Sequence, residues 1–199
     1  MNINLRLLKV ALLLASSGCF SSTAFCSGKV TGKISASLAK HNKGVVVYLK
    51  GGHEKIKTKT AIVEQKNLEF VPHVTAIPVG STVSFVNRDK VNHDIFSSDR
   101  SKSLDINNST PGVFKKVVFD TVGEVNLLCT IHPEMSGFIV VVDSNHYAVT
   151  GEDGKFSIRD VPAGRYDLVV WSEKLKKYEK KTVIVKDGRI SNVVIGMER

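Results

Sequence analysis

Cys129, His132 and Met135 stand at i, i+3 and i+6 in the run Cys129-Thr130-Ile131-His132-Pro133-Glu134-Met135. A thiolate, an imidazole and a thioether therefore share one short loop. A fourth donor, His93, lies upstream in Asn92-His93-Asp94. Two imidazoles and a thiolate in a plane, with a weakly held thioether on the axis, form the donor set of a blue-copper electron-transfer centre. Zinc sites take thiolates, imidazoles and carboxylates rather than a thioether. The residues predict one copper ion, cycling between Cu(I) and Cu(II), on His93, Cys129, His132 and Met135.

Two polar residues follow the ligands directly, Asp94 after His93 and Thr130 after Cys129. A hydrogen bond between their side chains would tie the two ligand loops together, and the Asp94 N–H is placed to reach the Cys129 sulfur. The alternative, that both face water as ordinary loop residues, stays open at this stage. Pro133 stiffens the loop. Gly137 is expected to let the chain turn back into its strand.

Strands must position these groups. Val45-Val46-Val47-Tyr48-Leu49 is a β-branched run between glycines. Thr82-Val83-Ser84-Phe85-Val86, Val125-Asn126-Leu127-Leu128 and Phe156-Ser157-Ile158-Arg159 alternate with period two. Gly151-Glu152-Asp153-Gly154, Pro162-Ala163-Gly164 and Lys186-Asp187-Gly188 are turn signals. Strands this short and frequent predict an all-β chain built of sandwiches. Leu127-Leu128 and Gly137-Phe138-Ile139 frame the ligand loop, and His93 comes from a different loop. The character changes near Asp143: the part that follows has few candidate ligands and regular turns. Trp171, ending Leu168-Val169-Val170, reads as core.

The N-terminus reads as an export signal over residues 1–26. Arg6 and Lys9 precede an apolar stretch, and small residues follow around Ala24 and Cys26. That stretch is too short to span a bilayer. The expected location is periplasmic or otherwise extracytoplasmic. Ser17-Gly18-Cys19 resembles the end of a lipoprotein box, which would anchor the chain by a lipid on Cys19. Ser16 stands where that box has Leu, so lipidation is the minor expectation. Cleavage near Ser27 would leave Cys129 as the one thiol, and a lone thiol in an oxidising compartment is a liability unless a metal holds it. The formal charge of +9 suits an acidic partner or an anionic surface. Export argues against nucleic acid. The lysines around Lys174 to Lys181 read as a solvated loop, with docking to an acidic redox partner as the sharper option.

Taken together, these residues resemble a cupredoxin. Gly80-Ser81-Thr82-Val83-Ser84-Phe85-Val86-Asn87-Arg88-Asp89 followed by His93 resembles the strand and loop that deliver the first histidine. Leu68-Glu69-Phe70-Val71-Pro72 resembles the start of such domains. Cys129-x-x-His132-x-x-Met135 is most similar to the short loop of amicyanin, where plastocyanin-type loops are longer. This resemblance covers residues 61–142. The flanks, Lys29 to Ile34, Gly44 to Leu49 and Asp153 to Trp171, resemble a carboxypeptidase regulatory-like, or transthyretin-like, sandwich. Exported proteins labelled methylamine-utilisation-like share this combination. The resemblance implies a cupredoxin Greek-key sandwich inserted in, or followed by, a small transthyretin-like sandwich made of residues 28–55 plus 145–199. The alternative is that residues 28–55 add a hairpin to the cupredoxin.

The expected function is one-electron transfer between redox partners such as a c-type cytochrome or a dehydrogenase, with electrons passing at the His132 edge among Ile131, Pro133 and Met135. The alternative is copper binding for delivery or sensing without electron transfer. An enzyme is not expected, because no orienting Asn or Asp and no oxyanion-stabilising motif accompanies Cys129 and His132 as a thiol hydrolase would require. His41 and His53 read as exposed loop residues, His73 as a neighbour of the site, and His146 as a junction residue. None of these four is assigned to copper.

Overall fold

The computed structural model describes residues 27–178 and 180–198. The expected leader over residues 1–26, with Cys19 and Cys26, lies outside the described residues. The chain is all-β. It begins with β1 (Gly28–Ala36) and β2 (Val46–Lys50), with a single 3-10 turn, Ala39–Asn42, between them. It continues through β3 (Thr60–Lys66), β4 (Glu69–Val71), β5 (Val74–Pro78), β6 (Ser81–Asn87), β7 (His93–Asp99), β8 (Lys102–Ser109), β9 (Phe114–Phe119), β10 (Gly123–Leu128) and β11 (Ser136–Val142). It ends with β12 (Tyr147–Val149), β13 (Lys155–Val161), β14 (Gly164–Trp171), β15 (Lys181–Val185) and β16 (Ile190–Met197).

The strands form two sandwiches. In one, the sheet β5-β11-β10-β7-β8 faces the sheet β4-β3-β6-β9 around Val63, Phe85, Ile95, Phe119, Leu127 and Ile139. The chain crosses between these sheets at β4–β5, β5–β6, β6–β7, β8–β9 and β9–β10, a Greek-key style of connection. In the other, the sheet β13-β1-β16 faces β12-β2-β14-β15 around Ile34, Val47, Leu49, Ile158, Leu168 and Ile195. The first two strands thus pair with the last five. β2 runs antiparallel to β14 from Val46↔Trp171 to Lys50↔Asp167, and β1 lies between β13 and β16.

The apolar runs that do not alternate have a physical cause. In β2, Val47 and Leu49 face their own core while Val46 and Tyr48 face the other way, into a third cluster. In β11, Ile139 and Val141 face inward while Phe138, Val140 and Val142 join that same third cluster, with Val74, Ala76, Tyr147 and Trp171. The two sandwiches therefore meet face to face, and strands buried on both faces read as continuous hydrophobic runs. Each fully buried branched side chain contributes about 1.5 kcal/mol or more. Polar contacts at an exposed rim contribute about 1 kcal/mol or less each. The apolar seam therefore dominates the attachment. One sequence expectation changes here. Trp171 is half-buried at the seam rather than in a core: it packs on Phe138 with ring centroids 5.3 Å apart, and its Nε1 donates to Glu124 Oε2. β6 is central in its sheet, with Val83, Ser84, Phe85 and Val86 all buried.

Candidate metal centre

His93 opens β7, and the loop before it is shaped by two buried or partly buried polar groups. Asn87 is fully buried; its Nδ2 donates to the carbonyls of Val91 (2.7 Å) and Ser109 (2.5 Å), and its Oδ1 accepts the Asp89 N–H at 2.9 Å. Asp89 in turn accepts the backbone N–H groups of Asn67 (2.7 Å) and Leu68 (3.0 Å), the two left-handed residues of the β3–β4 turn. Its Oδ2 also lies 2.9 Å from His93 Nε2. Burial works against an ionised Asp89, but the donors from Leu68, Asn67 and His93 outweigh it and hold the carboxyl below its ordinary range. An ionised carboxylate can only accept, so the proton of His93 sits on Nε2 and the Nδ1 lone pair is left facing inward.

The second loop links β10 to β11 and closes on itself. The Met135 N–H donates to the His132 carbonyl at 2.9 Å, and the Cys129 N–H to the Met135 carbonyl at 3.3 Å. Cys129 and Met135 are 3 % and 1 % exposed and belong to the core cluster of this sandwich. His132 is half-buried, and Ile131 beside it is 48 % exposed.

Three predicted donors converge. His93 Nδ1 is 3.1 Å from His132 Nδ1, and the Cys129 sulfur lies 4.0 Å and 3.8 Å from these two nitrogens. The point equidistant from the three atoms is about 2.1 Å from each, a metal–nitrogen bond length and slightly short of a metal–sulfur one. Two imidazole nitrogens and one thiolate, screened from water and closed around such a point, fit a copper ion by donor softness and by size. Met135 follows in the same closed loop with its side chain buried. Cys129 is the free cysteine among the described residues.

The groups beside the ligands are bonded to one another. Thr130 Oγ1 donates to Asp94 Oδ2, the Asn108 N–H donates to Asp94 Oδ1 at 3.0 Å, and the Asp94 N–H points at the Cys129 sulfur at 3.5 Å. Gln65, fully buried, donates to the Asp94 carbonyl at 3.2 Å. Gly137 has a different reason from the expected turn. A Cβ there would come within 2.9 Å of Phe70 Cβ and 3.2 Å of the His73 carbonyl, so its role is close packing against β4 and the start of β5.

Asp89 was not singled out by the sequence, although a carboxylate four residues ahead of a candidate ligand is a readable signal. His73 is no part of the donor cluster. Its Nδ1 lies 3.0 Å from the Ser136 carbonyl oxygen and its Nε2 2.9 Å from Glu173 Oε2. His146 is buried with its Nε2 2.7 Å from Glu54, His53 is exposed, and His41 is half-buried.

Residues 134–198 match the family model of the carboxypeptidase regulatory-like domain. The match begins in the ligand loop and takes in β11, which pairs with β10 and β5, and it does not extend to β1 and β2. No curated protein matches the chain. Among solved structures, the chain is similar to the Cu-containing nitrite reductase (NirK) from Thermus scotoductus SA-01, at 28% identity and TM-score 0.40 over 48% of this chain and 25% of that one. The chain thus spans about a quarter of the reductase's length. It is also similar to a purple cupredoxin from Nitrosopumilus maritimus, at 26% identity and TM-score 0.37 over 41% of this chain and 99% of that one. A reduced tryptophan-to-tyrosine mutant of amicyanin matches at 18% identity and TM-score 0.40, over 48% of this chain and 98% of that one.

Proposed function

We propose that this chain is an exported blue-copper protein that carries single electrons between redox partners, and that it is not an enzyme. The observation that supports the reading is the buried convergence of His93 Nδ1, His132 Nδ1 and the Cys129 sulfur. Met135 would complete the set from the axial side. Bound copper would supply a one-electron couple between Cu(II) and Cu(I).

The protein's own residues would do the rest. Asp89 keeps the His93 nitrogen turned to the site, and the Asp94–Thr130 bond holds the two loops at one spacing. A preset cage changes little on electron exchange, which keeps reorganisation small. His132 is the half-buried ligand, and exposed Ile131 and Pro133 flank it, so a partner would approach there. The charge of +9 favours an acidic partner face.

We read residues 28–55 with 145–199 as one discontinuous regulatory-like domain, interrupted by the cupredoxin-like unit of residues 61–142. The pairing of β2 with β14 and of β1 with β13 and β16 supports this division. Export through residues 1–26 belongs to the same reading.

Stopped-flow mixing of the copper-loaded protein with a reduced c-type cytochrome tests it. Rapid one-electron oxidation of the cytochrome, slowed by added salt, is expected. Copper that loads stoichiometrically but exchanges no electrons would favour delivery or sensing instead.

A further inference from the structure

A cavity of about 500 Å³ opens at the seam between the sandwiches. Four separate segments line it: the β1–β2 connection, the β4–β5 link, the end of β12 and the segment after β14. Its volume lies within the range of small-molecule pockets. Pro72, Val74 and Val149 give it apolar walls.

Its charged lining is mainly basic. Lys40, Lys43 and Lys174 line it, together with His41 and His73. The single carboxylate of the lining, Glu173, is already engaged by both His73 and Lys174. Lys43 pairs with exposed Glu152, whereas Lys40 has no ion-pair partner among the described residues. His41 Nδ1 is buried with no hydrogen-bond partner among them. A cavity with apolar walls and an uncompensated ammonium at its rim suits one kind of occupant.

We propose that this seam cavity binds a small organic anion, its apolar body against Pro72, Val74 and Val149 and its charged head at Lys40 and Lys174. The head satisfies the lysines as a charge-assisted acceptor, and the body displaces water from the walls. Each part of the recognition comes from a different segment, so the site exists only where the two sandwiches are joined.

Isothermal titration of the purified protein with benzoate is the test, with benzyl alcohol as the uncharged probe of the same shape. Lys40 is exposed, so Lys40→Glu alters charge without touching a core. Val149→Trp, at a position 37 % exposed, fills the cavity. Saturable uptake of one benzoate per chain is expected, weakened about tenfold or more by Lys40→Glu and abolished by Val149→Trp, with both variants retaining the wild-type circular dichroism. Absence of saturable benzoate uptake, wild-type affinity in either folded variant, or equal uptake of benzyl alcohol would overturn the proposal.

Discussion

Glu173 Oε2 lies 2.9 Å from His73 Nε2, and this one contact carries the second sandwich to the edge of the candidate metal centre. The other nitrogen of His73 meets the carbonyl of Ser136, the residue after Met135. A single imidazole therefore spans from the segment after β14 to the end of the ligand loop.

This bridge gives a pH signature. Burial works against an ionised Glu173, but hydrogen bonds from Lys174 and His73 outweigh it and lower its pKa. A depressed carboxyl contributes stability above its unfolded pKa and loses it as pH falls through the folded value. Glu173→Gln is expected to cost about 1 kcal/mol or less at pH 7. The gap should close in acid, once the native carboxyl is protonated. Urea denaturation of both proteins at neutral and acidic pH measures it; a gap that persists in acid would contradict the bridge.

Asp89 acts on the site only through His93. Asp89→Ala removes the acceptor that holds Nδ1 inward and two acceptors of the β3–β4 turn. Loss of such an outer partner typically weakens metal binding about 10- to 100-fold. Competition against a chelator of known affinity should show a fall of that order, and an unchanged affinity would rule out the positioning role.

An ionised Asp94 would place negative charge on the residue whose N–H points at the Cys129 sulfur. Asp94→Asn keeps an acceptor for the Asn108 N–H and removes the charge, which would otherwise favour Cu(II). The reduction potential of the copper-loaded variant is expected to rise. Voltammetry showing no rise, or a fall, would count against it.

Gly137→Ala places a Cβ at 2.9 Å from Phe70 Cβ, and both the phenyl stem and the His73 carbonyl are held by sheet structure. Overpacking of this kind costs about 1–3 kcal/mol. Thermal or urea unfolding reads the loss directly.

The approach of Cys129 to His132 was legible because the two are close in sequence, and local spacing is what a sequence displays. His93 was legible through the strand that ends just before it. The tie between Asp94 and Thr130 followed from adjacency to those ligands. Asp89 was missed although its four-residue spacing from His93 was readable; the left-handed turn at Asn67 and Leu68 that holds its carboxylate comes near only in the fold. Gly137 was noticed for the wrong reason: the residues it must clear, Phe70 and His73, are more than sixty positions away. The seam was visible only as unbroken apolar runs in β2 and β11. Nothing local says that the two outward faces meet each other, so Trp171 read as core and His73 as a mere neighbour.

Titration of the purified protein with Cu(II), followed by visible absorption in the native chain and in Cys129→Ser, tests the central claim most directly. One equivalent of copper should give an intense thiolate-to-copper band in the native protein and none in the variant. Copper uptake with only weak absorption, or a band that survives the loss of the sulfur, would contradict it.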